Sequence, residues 1–223
     1  ACLVGSEMCI RDSLCTLLII TQVKASLPLS GKNIIIDVGH GGIDAGTSYQ
    51  NILEKDLNLA ISQKLEQELT KNGASVILTR DNDYDLSSPN ADRRKKSDFD
   101  NRIKLINNSK ADIYLSIHIN YLEDSTYSGA QVFYYSNLNK PLAEAIQKNL
   151  NTISYPRSIK TMPNIYMYRR LKKPGVLIEC GFISNSQERQ KLTTSEYQTT
   201  LAQTITKGAV SYTHLTLPTI CSV

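Results

Sequence analysis

Segments with the pattern of a buried strand alternate along this chain with segments that have the pattern of an amphipathic helix. Residues 32–37 have the pattern of a buried strand that ends in an acid, and four aliphatic residues then recur every four positions: Leu57, Ile61, Leu65 and Leu69. That spacing is one face of a helix. Repeated alternation of this kind predicts a single α/β domain with a mostly parallel or mixed central sheet, helices on both faces, and ligands at the carboxyl ends of the strands.

The sheet is predicted to contain about six strands. Besides the first, strands are predicted at residues 75–79, 113–117, 129–135, 164–168 and 176–180. Gly73 ends the first helix, and further helices are predicted at residues 102–107, 142–150, 187–192 and 197–209. Residues 81–98 are predicted to form a polar loop, and the basic run at residues 93–96 within it is typical of a solvated surface.

Both ends of the chain differ in character from the part between them. Residues 1–13 and 211–223 resemble translated adapter sequence, and we interpret them as non-native tails. Residues 14–30 include an apolar stretch that is too short to span a bilayer but matches a signal peptide or the remnant of a membrane anchor. We therefore expect an exported protein with its functional domain at residues 31–210. The alternative is that the apolar stretch is a buried strand or helix of the domain.

The length of 223 residues, of which 41% are hydrophobic, suits one domain with a substantial core. The net charge is only +4, and no basic patch interleaved with aromatic residues is present, so nucleic acid is not a predicted partner. Only Cys180 of the five cysteines belongs to the predicted domain, which excludes a disulfide framework or a cysteine-based metal site there. The domain contains two histidines, His40 and His118.

These two histidines lie where two predicted strands end, in the sequences DVGHGG and SIHIN. Zinc in hydrolases is held by three side chains from His and Asp or Glu, with a fourth position left for water. Glu54, at the start of the first predicted helix, offers the carboxylate, and the helix dipole favours an anion there. Each residue also has an ordinary interpretation, as a histidine that caps the sheet or a first-turn glutamate. Their convergence on one sheet edge predicts a metal site.

Glu179 follows an apolar, strand-like run in GVLIECGFISN, where a buried charge is costly without a partner. Such a residue is either paired structurally or used in catalysis. With a zinc ion nearby, Glu179 is placed to act as a general base on water. Within SIHIN, the alternation of a strand puts Ser116 and Asn120 on the same side as His118, where they are predicted to orient its ring.

Seven motifs occur in the order and spacing typical of one enzyme family: DVGHGGIDAG, LEKDLNLA, LTRDND, NRIKLIN, SIHIN, SGAQVFYY and VLIECGFISN. On these motifs, residues 31–210 resemble the zinc-dependent N-acetylmuramoyl-L-alanine amidases of the amidase-3 family. The resemblance implies that His40, Glu54 and His118 hold one zinc ion per chain. It also implies that Glu179 is the catalytic glutamate.

Two further residues, Arg102 and Asn120, match motif positions of the family that have no assigned chemical role. We expect them to support the site or to bind substrate, and the alternative is structural pairing. The sequence departs from the common family pattern at Val38, Tyr121 and Cys180. None of these is an expected ligand, although Tyr121 and Cys180 can reshape the pocket.

The activity that the resemblance implies is hydrolysis of the amide bond between N-acetylmuramic acid and L-alanine in peptidoglycan. Glu179 would accept a proton from the attacking water and return it to the departing alanine nitrogen. The alternatives are a related zinc peptidase acting on stem peptides and a wall-binding module without catalysis. Some relatives carry an inhibitory helix after the second histidine motif. Residues 121–128 are too few for a helix of several turns, so we expect an open site.

Several segments resemble the germination-specific, spore-cortex branch of the family, the CwlD type: SLPLSGK, the RRK run, SGAQVFYY and IYMYRRLKKPGVLIE. This branch implies removal of stem peptides from cortex peptidoglycan before muramic δ-lactam forms, in the space between the two spore membranes. The alternative is a general amidase of division or autolysis in the cell wall. Membrane attachment through the N-terminal segment and an accessory lipoprotein are further expectations.

Overall fold

The computed structural model describes residues 26–216 except residue 163, with side chains up to residue 213. The predicted tail at residues 1–13, most of the predicted export segment and residues 217–223 lie outside the described residues. The strands are β1 (Asn33–Val38), β2 (Ser48–Tyr49), β3 (Ile52–Leu53), β4 (Ser75–Leu78), β5 (Ile113–Asn120), β6 (Gln131–Tyr134), β7 (Lys160–Thr161) and β8 (Gly175–Phe182). The α-helices are α1 (Glu54–Lys71), α2 (Arg94–Asn108), α3 (Lys140–Leu150), α4 (Ser186–Leu192) and α5 (Ser195–Thr216).

Six of these strands form one mixed sheet in the order β4-β1-β5-β8-β6-β7, and β2 and β3 form a small hairpin beside it. The first four are mutually parallel, and β6 runs antiparallel to β8 and parallel to β7. β1 therefore has β4 on one side and β5 on the other, and β5 is followed by β8. The prediction of one α/β domain with a mixed sheet of about six strands is confirmed.

Helices cover both faces of the sheet. On one face, α1, α3 and α5 pack over alternate residues of the central strands, such as Ile34 and Leu115. On the other face, Ile106 of α2 joins a second core that includes Ile35 and Tyr114. Because successive strand residues point to opposite faces, the continuous apolar strands supply both cores at once. The prediction of helices on both faces is confirmed.

The predicted strand at residues 164–168 is wrong. The strand in this region is β7, at Lys160–Thr161, and residues 166–170 form a turn followed by a short 3₁₀-helix, Tyr168–Arg170. Met167 and Tyr168 are consecutive and both are buried in the second core. A strand would send two consecutive side chains to opposite faces, so this pair is better accommodated by a turn.

Two helices are longer than their apolar patterns predict. α2 begins at Arg94, eight residues before the predicted start at residue 102, because its first turn is polar and mostly exposed and carries no hydrophobic period. α5 continues past the predicted end at residue 209 to Thr216, and Tyr212 packs against the main core. The polar loop predicted at residues 81–98 is therefore shorter than expected.

The segment before β1 packs against the domain, and the connection from β5 to β6 is irregular. Leu29, in the last part of the predicted export segment, is fully buried, and its backbone N–H donates to the carbonyl of Asn72 (2.8 Å). Residues 121–130, which link β5 to β6, contain no helix, as expected from their small number. No helix within residues 26–216 combines the length and the apolar character needed to cross a membrane.

Candidate metal centre

Three neighbouring parallel strands bring polar residues to one edge of the sheet. His40 lies two residues beyond the end of β1, His118 lies in β5, and Glu179 lies in β8 opposite His118 in the register. All three residues line a cavity of about 170 Å³. Residues that the sequence places at the ends of separate strands therefore meet at one cavity.

Glu54, the first residue of α1, lies beside both histidines. Its Oε1 atom is 2.8 Å from Nδ1 of His118 and 3.2 Å from Nε2 of His40. One potential ligand atom from each of these three residues lies within 4.8 Å of the other two, a spacing that one metal ion can bridge. Two imidazole nitrogens and a carboxylate oxygen form a donor set that suits zinc and leaves a coordination position open. The residues therefore fit the ion that the sequence predicts.

The carboxylate of Glu54 is buried and accepts hydrogen bonds on both oxygens. The backbone N–H and the hydroxyl of Thr47 donate to Oε2 (2.8 and 3.0 Å), and the backbone N–H of Ile119 donates to Oε1 (3.1 Å). Burial alone would raise the pKa of Glu54, but hydrogen bonds and charge from His118 and His40 outweigh it and lower the pKa. Glu54 is therefore ionised at neutral pH and fixed in position by its surroundings.

His40 has a left-handed backbone conformation, with φ of 60°, which is uncommon for a residue other than glycine. Its Nδ1 atom is 3.0 Å from Oδ2 of Asp44, and its Nε2 atom faces Glu54. Burial tends to lower the pKa of His40, but the carboxylates of Asp44 and Glu54 outweigh it and raise the pKa to about 9. Sequence reasoning missed Asp44, although it lies inside the quoted DVGHGGIDAG motif.

The turn that carries His40 is held by cationic side chains that donate to its carbonyl oxygens. Arg102 donates to the carbonyls of Val38 (2.6 Å) and His40 (2.7 Å), and Arg80 donates to that of Gly39 (3.0 Å). Backbone strain of the kind seen at His40 costs roughly 1–3 kcal/mol and persists only where surrounding contacts enforce it. The two guanidinium groups supply those contacts.

Arg102 also forms a buried ion-pair network with two acids. Its guanidinium lies 2.9 Å from Asp37 and 2.8 Å from Asp98, and all three side chains are buried. Burial opposes ionisation of Asp37, but the Arg102 guanidinium, the hydrogen bond from Ser116 and the interaction with His118 together outweigh it and lower the pKa of Asp37. All three guanidinium nitrogens of Arg102 donate to protein groups. These contacts favour the supporting alternative for Arg102 over substrate binding.

Neither Ser116 nor Asn120 forms a direct hydrogen bond with the ring of His118. The pairing of β5 with β8 has a bulge between His118 and Asn120, and Asn120 Oδ1 accepts from the backbone N–H of the next residue (2.8 Å). Ser116 instead contacts the hydroxyl of Tyr168 (3.0 Å), which lies 3.5 Å from His118 Nε2. Sequence reasoning missed Tyr168. The expected role of Asn120 in supporting the site or binding substrate stays a prediction.

Glu179 is partly exposed as a residue, but its Oε2 atom is buried and has no hydrogen-bond partner within the described part of the chain. Burial raises the pKa of Glu179 to about 7, with a further contribution from the Glu54 carboxylate and opposition from the two histidines. A carboxyl group with a pKa near 7 can exchange a proton at neutral pH. Its unpaired oxygen beside the cavity makes Glu179 the candidate general base.

Two glycines of the motif around His40 leave room for the candidate ligands. A Cβ atom added to Gly39 would collide with the ring of His118. A Cβ added to Gly46, which has φ of +68°, would lie 2.6 Å from Oε2 of Glu54 and 2.7 Å from Cδ2 of His40. Glycine at these positions therefore lets the backbone pack directly against the three side chains.

Residues 34–211 match the Amidase_3 family, described as N-acetylmuramoyl-L-alanine amidase. The match covers most of the chain, so the chain belongs to this family and is an N-acetylmuramoyl-L-alanine amidase. The resemblance found in the sequence motifs is confirmed.

The chain is similar to several individual amidases. The germination-specific N-acetylmuramoyl-L-alanine amidase of Bacillus subtilis is 42% identical over 194 residues, which are 84% of this chain and 82% of that protein. The CwlD amidase of Clostridioides difficile, solved in complex with the GerS lipoprotein, superposes with a TM-score of 0.78 at 38% identity, over 82% of this chain and 99% of that one. The catalytic domain of CwlV from Bacillus (Paenibacillus) polymyxa superposes with a TM-score of 0.73 at 31% identity, over 82% and 98%.

Proposed function

We propose that this amidase is zinc-dependent, that His40, Glu54 and His118 hold one zinc ion, and that Glu179 is its catalytic residue. The observation that carries the proposal is the meeting of two histidines and a fixed carboxylate at the cavity beside the unpaired Oε2 of Glu179. A related zinc peptidase would use a similar centre. Family membership favours the bond between muramic acid and L-alanine.

The cavity residues contribute to hydrolysis in different ways. Zinc, when bound, supplies a Lewis acid that polarises a carbonyl and makes water a better nucleophile near neutral pH. Ionised Glu179 accepts the proton of the attacking water, and neutral Glu179 then delivers it to the alanine nitrogen as the amide bond breaks. Phe99, Ile165 and Leu177 form apolar parts of the cavity wall. By limiting access of bulk water, they strengthen the polar interactions within the cavity.

Metal removal tests the zinc requirement. Protein stripped by a chelator is expected to stop releasing stem peptides with an L-alanine amino terminus from purified peptidoglycan, and one equivalent of zinc should restore the release. Liberation of single terminal amino acids would support the peptidase alternative. Full turnover by metal-free protein would rule out the proposal.

Zinc affinity is expected to increase with pH. The raised pKa of His40, about 9 in the metal-free protein, means that the ring carries an extra proton at neutral pH. A metal must displace that proton, while Glu54 with its lowered pKa stays ionised. Below pH 9 this one group should raise the apparent association constant about tenfold per pH unit. Chelator competition between about pH 6 and pH 8 measures the slope, and a flat profile would contradict the assignment of His40.

We further propose that the substrate is spore-cortex peptidoglycan and that the reaction precedes muramic δ-lactam formation. The support comes from two relatives, a germination-specific amidase at 42% identity and a CwlD amidase at 38% identity. A general amidase of division or autolysis is the second candidate. Deletion of the gene in a spore-forming host, followed by analysis of cortex muropeptides, separates the two. Normal δ-lactam in the deletion strain would exclude the cortex role without affecting the amidase assignment.

The same relatives suggest a cellular location and a partner protein for the enzyme. A substrate in the cortex or cell wall places the enzyme outside the cytoplasm, and the predicted export segment agrees with that location. The lipoprotein in the CwlD complex makes an accessory lipoprotein a candidate partner here. Membrane attachment through the N-terminal segment stays a prediction, because residues 1–25 lie outside the described residues.

A further inference from the structure

A series of buried hydrogen bonds links the ion-pair network of Arg102 to the ring of His118. Ser116 Oγ lies 2.6 Å from Oδ2 of Asp37 and 3.0 Å from the hydroxyl of Tyr168, and that hydroxyl lies 3.5 Å from His118 Nε2. Asp37 in turn accepts from Arg102 at 2.9 Å. We call Asp37, Ser116, Tyr168 and His118 the Tyr168 network.

The direction of each bond follows from the number of protons available. The carboxylate of Asp37 pairs with Arg102 and can only accept, so Ser116 must use its single proton on Asp37. Ser116 can then only accept from Tyr168, which uses the one hydroxyl proton of Tyr168. Toward His118, the Tyr168 oxygen is left as an acceptor. The proton in that last contact must therefore belong to Nε2 of His118.

We propose that the Tyr168 network sets the tautomer of His118, with the proton on Nε2, and so reserves Nδ1 as the metal ligand. In a neutral ring with Nε2–H, the Nδ1 lone pair faces Oε1 of Glu54 at 2.8 Å, an arrangement that is favourable only with a cation there. Tyr168 is thus a positioning residue that acts through His118. The inference therefore rests on the proposed zinc centre, because without a metal the same 2.8 Å contact favours a proton on Nδ1 that is donated to Glu54.

Nitrogen-15 NMR of the zinc-loaded protein tests the tautomer directly. The wild type is expected to show a His118 Nε2 proton that exchanges slowly with water. In Tyr168→Phe the acceptor is gone, so the same proton should exchange much faster. Tyr114→Phe is the matched control, because Tyr114 is a buried tyrosine of the same second core that lies outside the network, and it should leave the exchange unchanged. An unprotonated Nε2 in the wild type, or equal exchange in both variants, would overturn the proposal.

The zinc affinity of variants is a second test of the Tyr168 network. Loss of an outer hydrogen-bond partner of a ligating histidine weakens metal binding roughly 10–100-fold. At 3.5 Å the contact is long, so we expect about tenfold for Tyr168→Phe and no measurable change for Tyr114→Phe. Because Ser116 acts through Tyr168, the loss in Ser116→Ala and that in Tyr168→Phe should not add in the double variant. Additive losses would contradict the network. A wild type that binds no zinc would refute the zinc centre itself, whereas a wild type that binds zinc with an unprotonated Nε2 would refute only the tautomer.

Discussion

Glu179→Gln is expected to keep its zinc and lose most of its turnover. The amide has nearly the same shape as the carboxylate but cannot accept a proton from water. Loss of a general base lowers the rate by about 10²–10⁴-fold, and the loss should fall on kcat because ground-state contacts are retained. Zinc content by metal analysis and kcat on purified peptidoglycan measure the two properties separately. Loss of zinc from this variant would make Glu179 a ligand instead of a base.

The pH profile gives the same assignment an independent check. Only ionised Glu179 can act as the base, so activity should fall as the pH decreases through the pKa of this residue. That pKa is raised to about 7 in the metal-free protein, and the charge of a bound metal shifts it lower. The acid limb of kcat should therefore lie at or below pH 7 and be absent from the residual activity of Glu179→Gln.

Glu188→Gln is the matched control for this substitution. Glu188 is another partly buried glutamate after β8, but its oxygens accept from the backbone N–H groups of Gly129 and Phe182 (2.7 and 2.8 Å) and it does not line the cavity. The Glu188→Gln substitution should lower the free energy of unfolding by about 1–3 kcal/mol and leave the kcat of the folded enzyme nearly unchanged. An equal loss of turnover in Glu179→Gln and Glu188→Gln would mean that Glu179 is needed for the folded structure and not for proton transfer.

Arg102→Met is expected to destabilise the fold by about 3–5 kcal/mol, because it leaves two buried carboxylates without a counter-ion. Asp37 and Asp98 are 1% and 6% exposed, so water cannot replace the lost guanidinium. The turn that carries His40 also loses two hydrogen bonds to its carbonyl groups. Denaturant unfolding of the metal-free protein measures the loss without a contribution from bound metal.

Lys96→Met is the comparison for that measurement. Lys96 and Asp100 form an ion pair on the same helix with the same four-residue spacing as Asp98 and Arg102, but half of the Lys96 side chain is exposed. Exposed pairs of this kind contribute about 0–1 kcal/mol. A similar decrease in unfolding free energy for the two variants would show that burial of the Arg102 network does not increase its contribution to stability.

The sequence predicts the placement of the candidate ligands because regular elements determine it. Parallel strands share a carboxyl edge, so residues just after β1 and near the ends of β5 and β8 must be neighbours there. The four-residue period of the leucine and isoleucine positions in α1 likewise predicts the face that it buries, and Glu54 is the residue with which that helix begins. Where the period of the hydrophobic residues determines how a strand or helix packs, a single sequence is sufficient to predict which residues lie together.

The contacts that were missed join residues whose positions follow no periodic sequence pattern. Arg102 pairs with Asp37 across 65 residues, and nothing in either local sequence indicates the other. Tyr168 reaches His118 from an irregular turn, which a strand prediction at residues 164–168 conceals. Asp44 contacts His40 within an irregular turn in which His40 has a left-handed backbone, and that φ cannot be inferred from a histidine between glycines.

The origin of the candidate ligands in three separate segments determines when a metal can be loaded. Glu54 and His118 are 64 residues apart, and they approach each other only once β5 has paired with β1. An unfolded chain offers isolated side chains whose affinity for an ion is low, since bringing them together also requires closing a long loop. If the chain is exported unfolded and holds zinc as proposed, it would take up its ion at its destination, and the zinc supply there would set how much active enzyme forms.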